Sequence, residues 1–520
     1  MGRGGGPAAA TARLTPRGRE ARRDACYAPG RPMPPRSTDR WLPRPARAAG
    51  GAAWLALLLG GASPAPGQEV LRDTDRIDIT GRQNLTLGSG ARAYGMGGAF
   101  LARADDGTAA SWNPAGLSYL RVPEVSLVGV SNAIDATRGS DFDRFDGRAF
   151  DFAAFTWPVG RGDVRGAVQL SYQRAISFDG TRSIRIAGET QTFTDAGESD
   201  GGFDVVAFGT GLRLSRRVRA GFTVNRWLNG YDQTLTRTYE TFNRRPQREY
   251  DLDFRPRGWS FNLGLIFSPI ENLNIAAVYK TPFTADVRLA KERRDYWTSG
   301  GTLEEVTRNT YATDGTRLEF PSSFGIGVSW RPIDTLTFSA DLTRTSWSEA
   351  RIQNYFDLTV TPQSTDGVPA TPPPPTVYPN LQYPTLTAVP SSGDPDDPAR
   401  LFGQQDAEQV RLGVEWVLIA GRVKVPIRGG YFNDRQIIVN LTGEPPRFNG
   451  FTAGTGLILG PMLLDVAFVY ESGEYSVTSV APGGAEFDQP AVATTQVRNT
   501  LTTKRFYASV IYRFSGPRRP

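Results

Sequence analysis

Residues 334–344 read DTLTFSADLTR, and this stretch decides the fold. Leu336, Phe338, Ala340 and Leu342 fall on one side of an extended chain, and Thr335, Thr337, Ser339, Asp341 and Thr343 on the other. Period-two alternation of apolar and polar residues describes a β-strand with two unlike faces. The pattern returns at 258–268, 408–418 and 462–471, and weaker copies bring the total to about fourteen strands. Their expected positions are 124–130, 149–158, 164–178, 203–215, 217–228, 258–268, 272–280, 322–331, 334–344, 408–418, 422–433, 450–459, 462–471 and 503–514.

Alternation by itself also fits a half-buried antiparallel sheet in water. Connection lengths separate the two cases. Every second connection is tight, as at 160–163, 269–271, 332–333, 420–421 and 460–461. The others run from about fifteen to about sixty residues, against a usual four to six. Short turns on one side and long loops on the other describe a transmembrane β-barrel. Lipid offers no hydrogen-bond partners, so such a sheet must close on itself, with an even strand number in single-chain bacterial barrels. The expected fold is all-β: a transmembrane antiparallel barrel of about 14 strands.

Ahead of the strands, residues 87–120 read LGSGARAYGMGGAFLARADDGTAASWNPAGLSYL. This segment is too small-sided to form a core alone, but Gly and Ala let backbone approach backbone. It is expected to plug the bore. Pro114 pushes Asn113 out of the helical region and marks a stop.

Composition narrows the chemistry. Up to Gln68 there are eleven Arg against Glu20, Asp24 and Asp39, about +8, so the formal +6 of the whole chain leaves about −2 for the rest. The basic balance belongs to the leader and gives no support for nucleic-acid binding. Arg40, Arg44 and Arg47 precede the short apolar run 52–59 and a small-residue exit, the pattern of a secretory signal peptide, with Met33 the expected start. Cys26 is the single cysteine and histidine is absent. No disulfide, thiolate metal site, imidazole ligand or Ser-His-Asp triad is expected in the exported chain, and no motif suggests an enzyme or a cofactor. The organisation read from this is a leader at 1–68, a plug at 69–122, a barrel at 123–514 and a tail at 515–520. The 361–397 loop, with Pro372–Pro375, is expected to be irregular. The charged stretches 231–253 and 291–316 are expected to extend neighbouring strands.

The order Gly90-Ala91-Arg92-Ala93-Tyr94-Gly95-Met96-Gly97-Gly98-Ala99-Phe100, Ala104-Asp105-Asp106 and Asn113-Pro114-Ala115-Gly116 resembles the start of the FadL family of outer-membrane transporters for long-chain fatty acids and other hydrophobic compounds. The likeness continues through Pro321-Ser322-Ser323, Trp330-Arg331-Pro332, 410–415 and 426–431. It implies a fourteen-stranded barrel with an N-terminal hatch, capture of ligand at the outer loops, and release through a gated lateral opening. A kink in the third strand, 164–178, is implied with it. The same opening segment occurs in PorV-like barrels, which act as partner-binding components of a protein-secretion system; this is the alternative function. The last strand, ending in Phe514, resembles an outer-membrane assembly signal. The implied partners are hydrophobic small molecules, outer-membrane lipids and the barrel assembly machinery, with no nucleic acid.

Several residues stand out. Asn113, Pro114 and Ala115 match the family's hatch motif and are either a gating switch or a rigid docking turn. Gly95, Gly97, Gly98, Asp105 and Asp106 are expected to pack the hatch, with the Asp pair a turn or helix cap rather than an ion site. Arg331, Asp341, Arg411, Glu415 and Asp465 are expected to face the lumen as a polar network joining plug to wall. The loop aromatics Tyr355, Phe356, Tyr378 and Tyr383 are expected either to collect apolar ligand or to pack the loop.

Overall fold

The computed structural model describes residues 88–138, 141–161, 164–187, 192–239, 247–299, 302–353, 361–364, 388–389, 399–401, 405–421, 423–436, 445–481 and 493–514. The leader, the first part of the expected hatch (69–87), the tail, Pro372–Pro375 and the four loop aromatics lie outside these residues.

Fourteen strands form the wall: β1 Glu124–Arg138, β2 Asp141–Arg161, β3 Val164–Ser177, β4 Thr192–Arg213, β5 Val218–Leu228, β6 Gln247–Ile270 and β7 Leu273–Lys280. They continue with β8 Ser323–Ile333, β9 Leu336–Thr345, β10 Ala407–Ala420, β11 Val423–Arg435, β12 Arg447–Leu459, β13 Met462–Ala481 and β14 Ala493–Arg513. Each pairs antiparallel with the next, and β14 returns to β1 from Glu124↔Arg513 to Arg138↔Asn499. The sheet therefore has no free edge, which is the condition for strands to stand in lipid.

The decisive feature is the direction of the faces. Along β8, Ser323, Gly325, Gly327 and Ser329 are buried, while Phe324, Ile326, Val328 and Trp330 are exposed. Along β9, Thr337, Ser339 and Asp341 are buried, while Phe338 and Leu342 are exposed. In water this arrangement would leave the hydrophobic face unburied. In a bilayer it matches lipid outside and a polar bore inside. Aromatics stand near both strand ends, Trp330 by the short turn and Phe324 beside Tyr279 at the opposite end. Among the described residues no helix is long and apolar enough to cross a membrane.

Several strands run beyond the expected spans, because the long connections are themselves largely sheet. Residues 180–187, the outer half of β4, 231–239, the outer half of β6, 283–299 and 302–320 pair in that order above the wall. Phe178, Phe203, Tyr231 and Phe254 bury their rings there, with Phe178 stacked 4.1 Å from Tyr231. Thr361–Ser364 and Ala388–Val389 are short strands inside the stretch expected to be irregular. The third strand carries an irregularity: its register with β4 shifts between Arg174 and Ile176, leaving Ala175 unmatched. A second shift separates Val128 from Gly129 in β1.

Candidate functional site

Residues 88–122 lie inside the cylinder and form its core. Met96, Phe100, Ala115 and Leu117 have no exposed surface, and Trp112 is nearly as deep. Two short helices, Ala91–Gly95 and Ala109–Trp112, lead to a 3-10 turn at Pro114–Tyr119. Asn113 is extended (φ −147°, ψ 108°), as the residue before a proline tends to be. Its Oδ1 accepts from Ala115 N at 3.0 Å. Its Nδ2 donates to Leu101 O at 2.9 Å and to Leu265 O of β6 at 3.3 Å. One amide thus pairs with three backbone groups, one in its own turn, one earlier in the segment and one in the wall.

The wall meets this segment through glycines that face inward. A Cβ on Gly264 of β6 would stand 2.1 Å from Asn113 Oδ1, and one on Gly221 of β5 2.4 Å from the Pro114 carbonyl carbon. Gly430 of β11 faces Gly97 N, and Gly454 of β12 faces Gly95. Gly97 and Gly98 take φ of +69° and +76°, which favours glycine. Thr452 donates its hydroxyl to Gly95 O at 3.0 Å and accepts from Gly97 N at 2.9 Å.

Charge holds the other contacts. Arg92 Nε and a terminal nitrogen meet the two oxygens of Glu415, each at 3.0 Å, and the second terminal nitrogen meets Asp105 at 2.7 Å and Asp106 at 3.3 Å. Arg103 reaches Glu415 at 3.2 Å and also pairs with Asp105. Arg428 lies between Glu415 (2.8 Å) and Asp465 (2.7 Å). Arg411 binds Asp434 at 2.6 Å and donates to Gly97 O at 2.9 Å, while Asp341 accepts from Leu101 N at 2.8 Å. Asp106 also accepts from Thr108 N and Oγ1, forming the turn into the second helix. Ionic groups so buried are tolerated only when each has partners, and here they do.

Of the residues expected in the lumen, Glu415 and Asp465 share Arg428, and Asp341 sits opposite Arg411 across β9–β10. Arg331 is a correction. It is exposed at the short-turn rim, where the β8–β9 register shifts between Trp330 and Ile333, and none of the buried ion pairs just described includes it. Sequence reading missed Arg92, Arg103, Arg428 and Asp434. The available signal was two arginines in a segment too small-sided to be exposed, each of which requires a buried acid. It also missed the inward glycines, whose signal is a Gly at the polar parity of successive strands.

A cavity of about 80 Å³ lies above Ala110 and Ser111 of the second helix. Trp227, Phe283, Phe320 and Trp347 stand at its outer rim, with Phe283 and Phe320 stacked at 4.6 Å and Trp227 5.0 Å from Phe283. Deeper, Gln173, Asn225, Ser260 and Asn262 make it polar; Trp227 Nε1 donates to Ser260 Oγ at 2.9 Å. Lys280, the outermost residue of β7, and Ala175, the unmatched residue of β3, line it as well.

A FadL homologue from Pseudomonas aeruginosa is similar at TM-score 0.54 over 82% of this chain and 99% of its own, with 11% identity. This chain has the FadL-type barrel fold. The TodX monoaromatic hydrocarbon channel, as a deltaS2 mutant, shares the FadL-type fold at TM-score 0.51 over 82% of this chain and 99% of its own, with 13% identity. The CymD monoaromatic hydrocarbon channel does so at 0.50 over 83% and 99%, with 12% identity. No protein-family model matches the chain, and no curated protein matches it significantly. At such identities the likeness is one of fold, so the chemistry of this FadL-type barrel rests on its own residues.

Proposed function

We propose that this FadL-type barrel carries hydrophobic compounds with an anionic head, such as long-chain fatty acids, passively across the bacterial outer membrane. The observation that carries the reading is a bore filled by residues 88–122 beneath a cavity with aromatic residues at its rim. A filled bore opposes free diffusion of water-soluble solutes, and apolar and aromatic linings with a few polar groups are what small-ligand sites use. The solved FadL-type relatives named as hydrocarbon channels agree with an apolar cargo. Lys280 supports a carboxylate head rather than a neutral hydrocarbon, since it brings a cationic side chain into the lining of the cavity.

The wall beside the cavity supports sideways release. At Ala175 the β3–β4 ladder is interrupted where the residue also lines the cavity. In this reading the outer sheet gathers ligand, the cavity holds it, and the interruption is the lateral exit. Uptake of labelled oleate by cells with and without the protein tests the proposal. Unchanged uptake would end it. Deleting Ala175, which restores the ladder, is expected to abolish uptake while oleate binding persists.

A further inference from the structure

Inside the bore, Arg92, Arg103, Arg411 and Arg428 each meet a carboxylate. At the short-turn mouth the same chain does the opposite. Residues 161–165 and 213–219 carry Arg161, Arg165, Arg213, Arg216, Arg217 and Arg219 against a single acid, Asp163, which lies outside the described residues. Strand register gathers these cations. Arg213 of β4 stands directly opposite Arg165 of β3 on one side and Arg219 of β5 on the other. All three share the side of Gly211 and Gly221, which face Pro114 in the bore, while Leu212 takes the lipid side. Arg121, just past the 3-10 turn of the hatch, joins them. Partial burial first, and then repulsion from Arg165, Arg213 and Arg219, hold it below the usual arginine range. Like charges directly opposite one another weaken a sheet. Arg121, Arg213, Arg216, Arg217 and Arg219 nonetheless form no ion pair among the described residues.

The turn that presents them is firmly closed. Leu214 N and Ser215 N donate to Val218 O, and Ser268 N donates to Arg217 O. Ser215 Oγ accepts from Arg217 N at 3.2 Å and from Val218 N at 3.0 Å. Arg216 and Arg217 are thereby exposed at its tip. The guanidiniums are also kept apart: Arg213 Nε donates to Ser215 O at 3.2 Å, and Arg219 lies over the Tyr119 ring at 4.1 Å. A single phosphate wants donors that converge, whereas a spread array suits several carboxylates set along a surface.

We infer that this mouth docks an acidic segment of a soluble protein on the periplasmic side, where the short turns lie. Carboxylates of that partner would meet Arg121, Arg165, Arg213, Arg216 and Arg217. The inward side shared by Arg165 and Arg213 turns them toward the aqueous mouth rather than toward lipid headgroups, which favours a protein over a membrane surface. A preformed turn has little left to order on binding. The docking does not depend on what the barrel carries.

The test uses the full chain in nanodiscs of zwitterionic lipid and a fluorescent, glutamate-rich peptide of about twelve residues, read by polarisation. Binding is expected, and it should weaken about tenfold or more as salt rises from about 50 to about 300 mM. Arg216→Glu/Arg217→Glu should weaken it about tenfold, whereas Arg331→Glu/Lys424→Glu, an equal charge change at exposed rim positions elsewhere, should change it less than about threefold. Equal losses in the two doubles would reduce the effect to net charge and overturn the inference, as would no binding at all. Displacement of the peptide by inorganic phosphate at matched ionic strength would make this a small-anion site instead. Loss of peptide binding in nanodiscs containing phosphatidylglycerol would assign the arginines to a lipid surface. Either result overturns the protein-docking assignment.

Discussion

Arg92 and Glu415 meet through two parallel hydrogen bonds of 3.0 Å each, across 323 positions of chain. The Glu415 carboxylate also serves Arg103 and Arg428, so one acid of β10 joins the plug segment to the wall. Removing it takes from three guanidiniums the one carboxylate they share, leaving Arg92 and Arg103 with Asp105 and Arg428 with Asp465.

Glu415→Gln is therefore expected to loosen residues 88–106 at a cost of about 3–5 kcal/mol, the usual price of breaking a buried ion pair. Limited proteolysis should cut that segment while the barrel keeps its heat-modifiable mobility on gels. A segment as resistant as in the parent would contradict the clamp.

Gly221→Val tests the shape fit. The added Cβ would collide with Pro114, and overpacking of this kind costs about 1–3 kcal/mol. The expected outcome is displacement of the 3-10 turn and a rise in single-channel conductance in planar bilayers. Unaltered conductance would mean that the turn does not seal the bore.

Lys280→Met addresses the cargo. Losing a hydrogen bond to a charged group is worth about 1.5–3 kcal/mol, so oleate binding should weaken roughly tenfold or more. Binding of a neutral alkane of equal length should hardly change. Equal losses for both ligands would assign Lys280 a packing role only.

Leu412→Arg tests the orientation of the wall. Leu412 is 47% exposed on the outer face of β10. A charge near the bilayer midplane costs about 2–4 kcal/mol in such barrels. Folding yield into lipid vesicles should fall, whereas folding that ignores the substitution would argue against a lipid-facing surface.

Much of this architecture was legible in the chain. Side-chain alternation is a local property of extended backbone, so the strands between Glu124 and Phe514 could be read from neighbours two apart. The extensions of β2, β4 and β6 were harder, because outside the membrane both faces of a sheet can be polar and the alternation fades. The plug segment was visible as a small-sided run before the strands, and the extended turn at Asn113 followed from Pro114.

By itself, then, the sequence determined the strand periodicity, the short and long connections, and a segment fit for close packing. All of these rest on contacts within a few residues. Only the tertiary structure decided that Arg92 finds Glu415, that Lys280 and Trp227 border one cavity with Ala110, and that Arg331 stands exposed at the rim. Those outcomes depend on barrel closure and strand register, which place side chains together that the chain keeps tens to hundreds of positions apart.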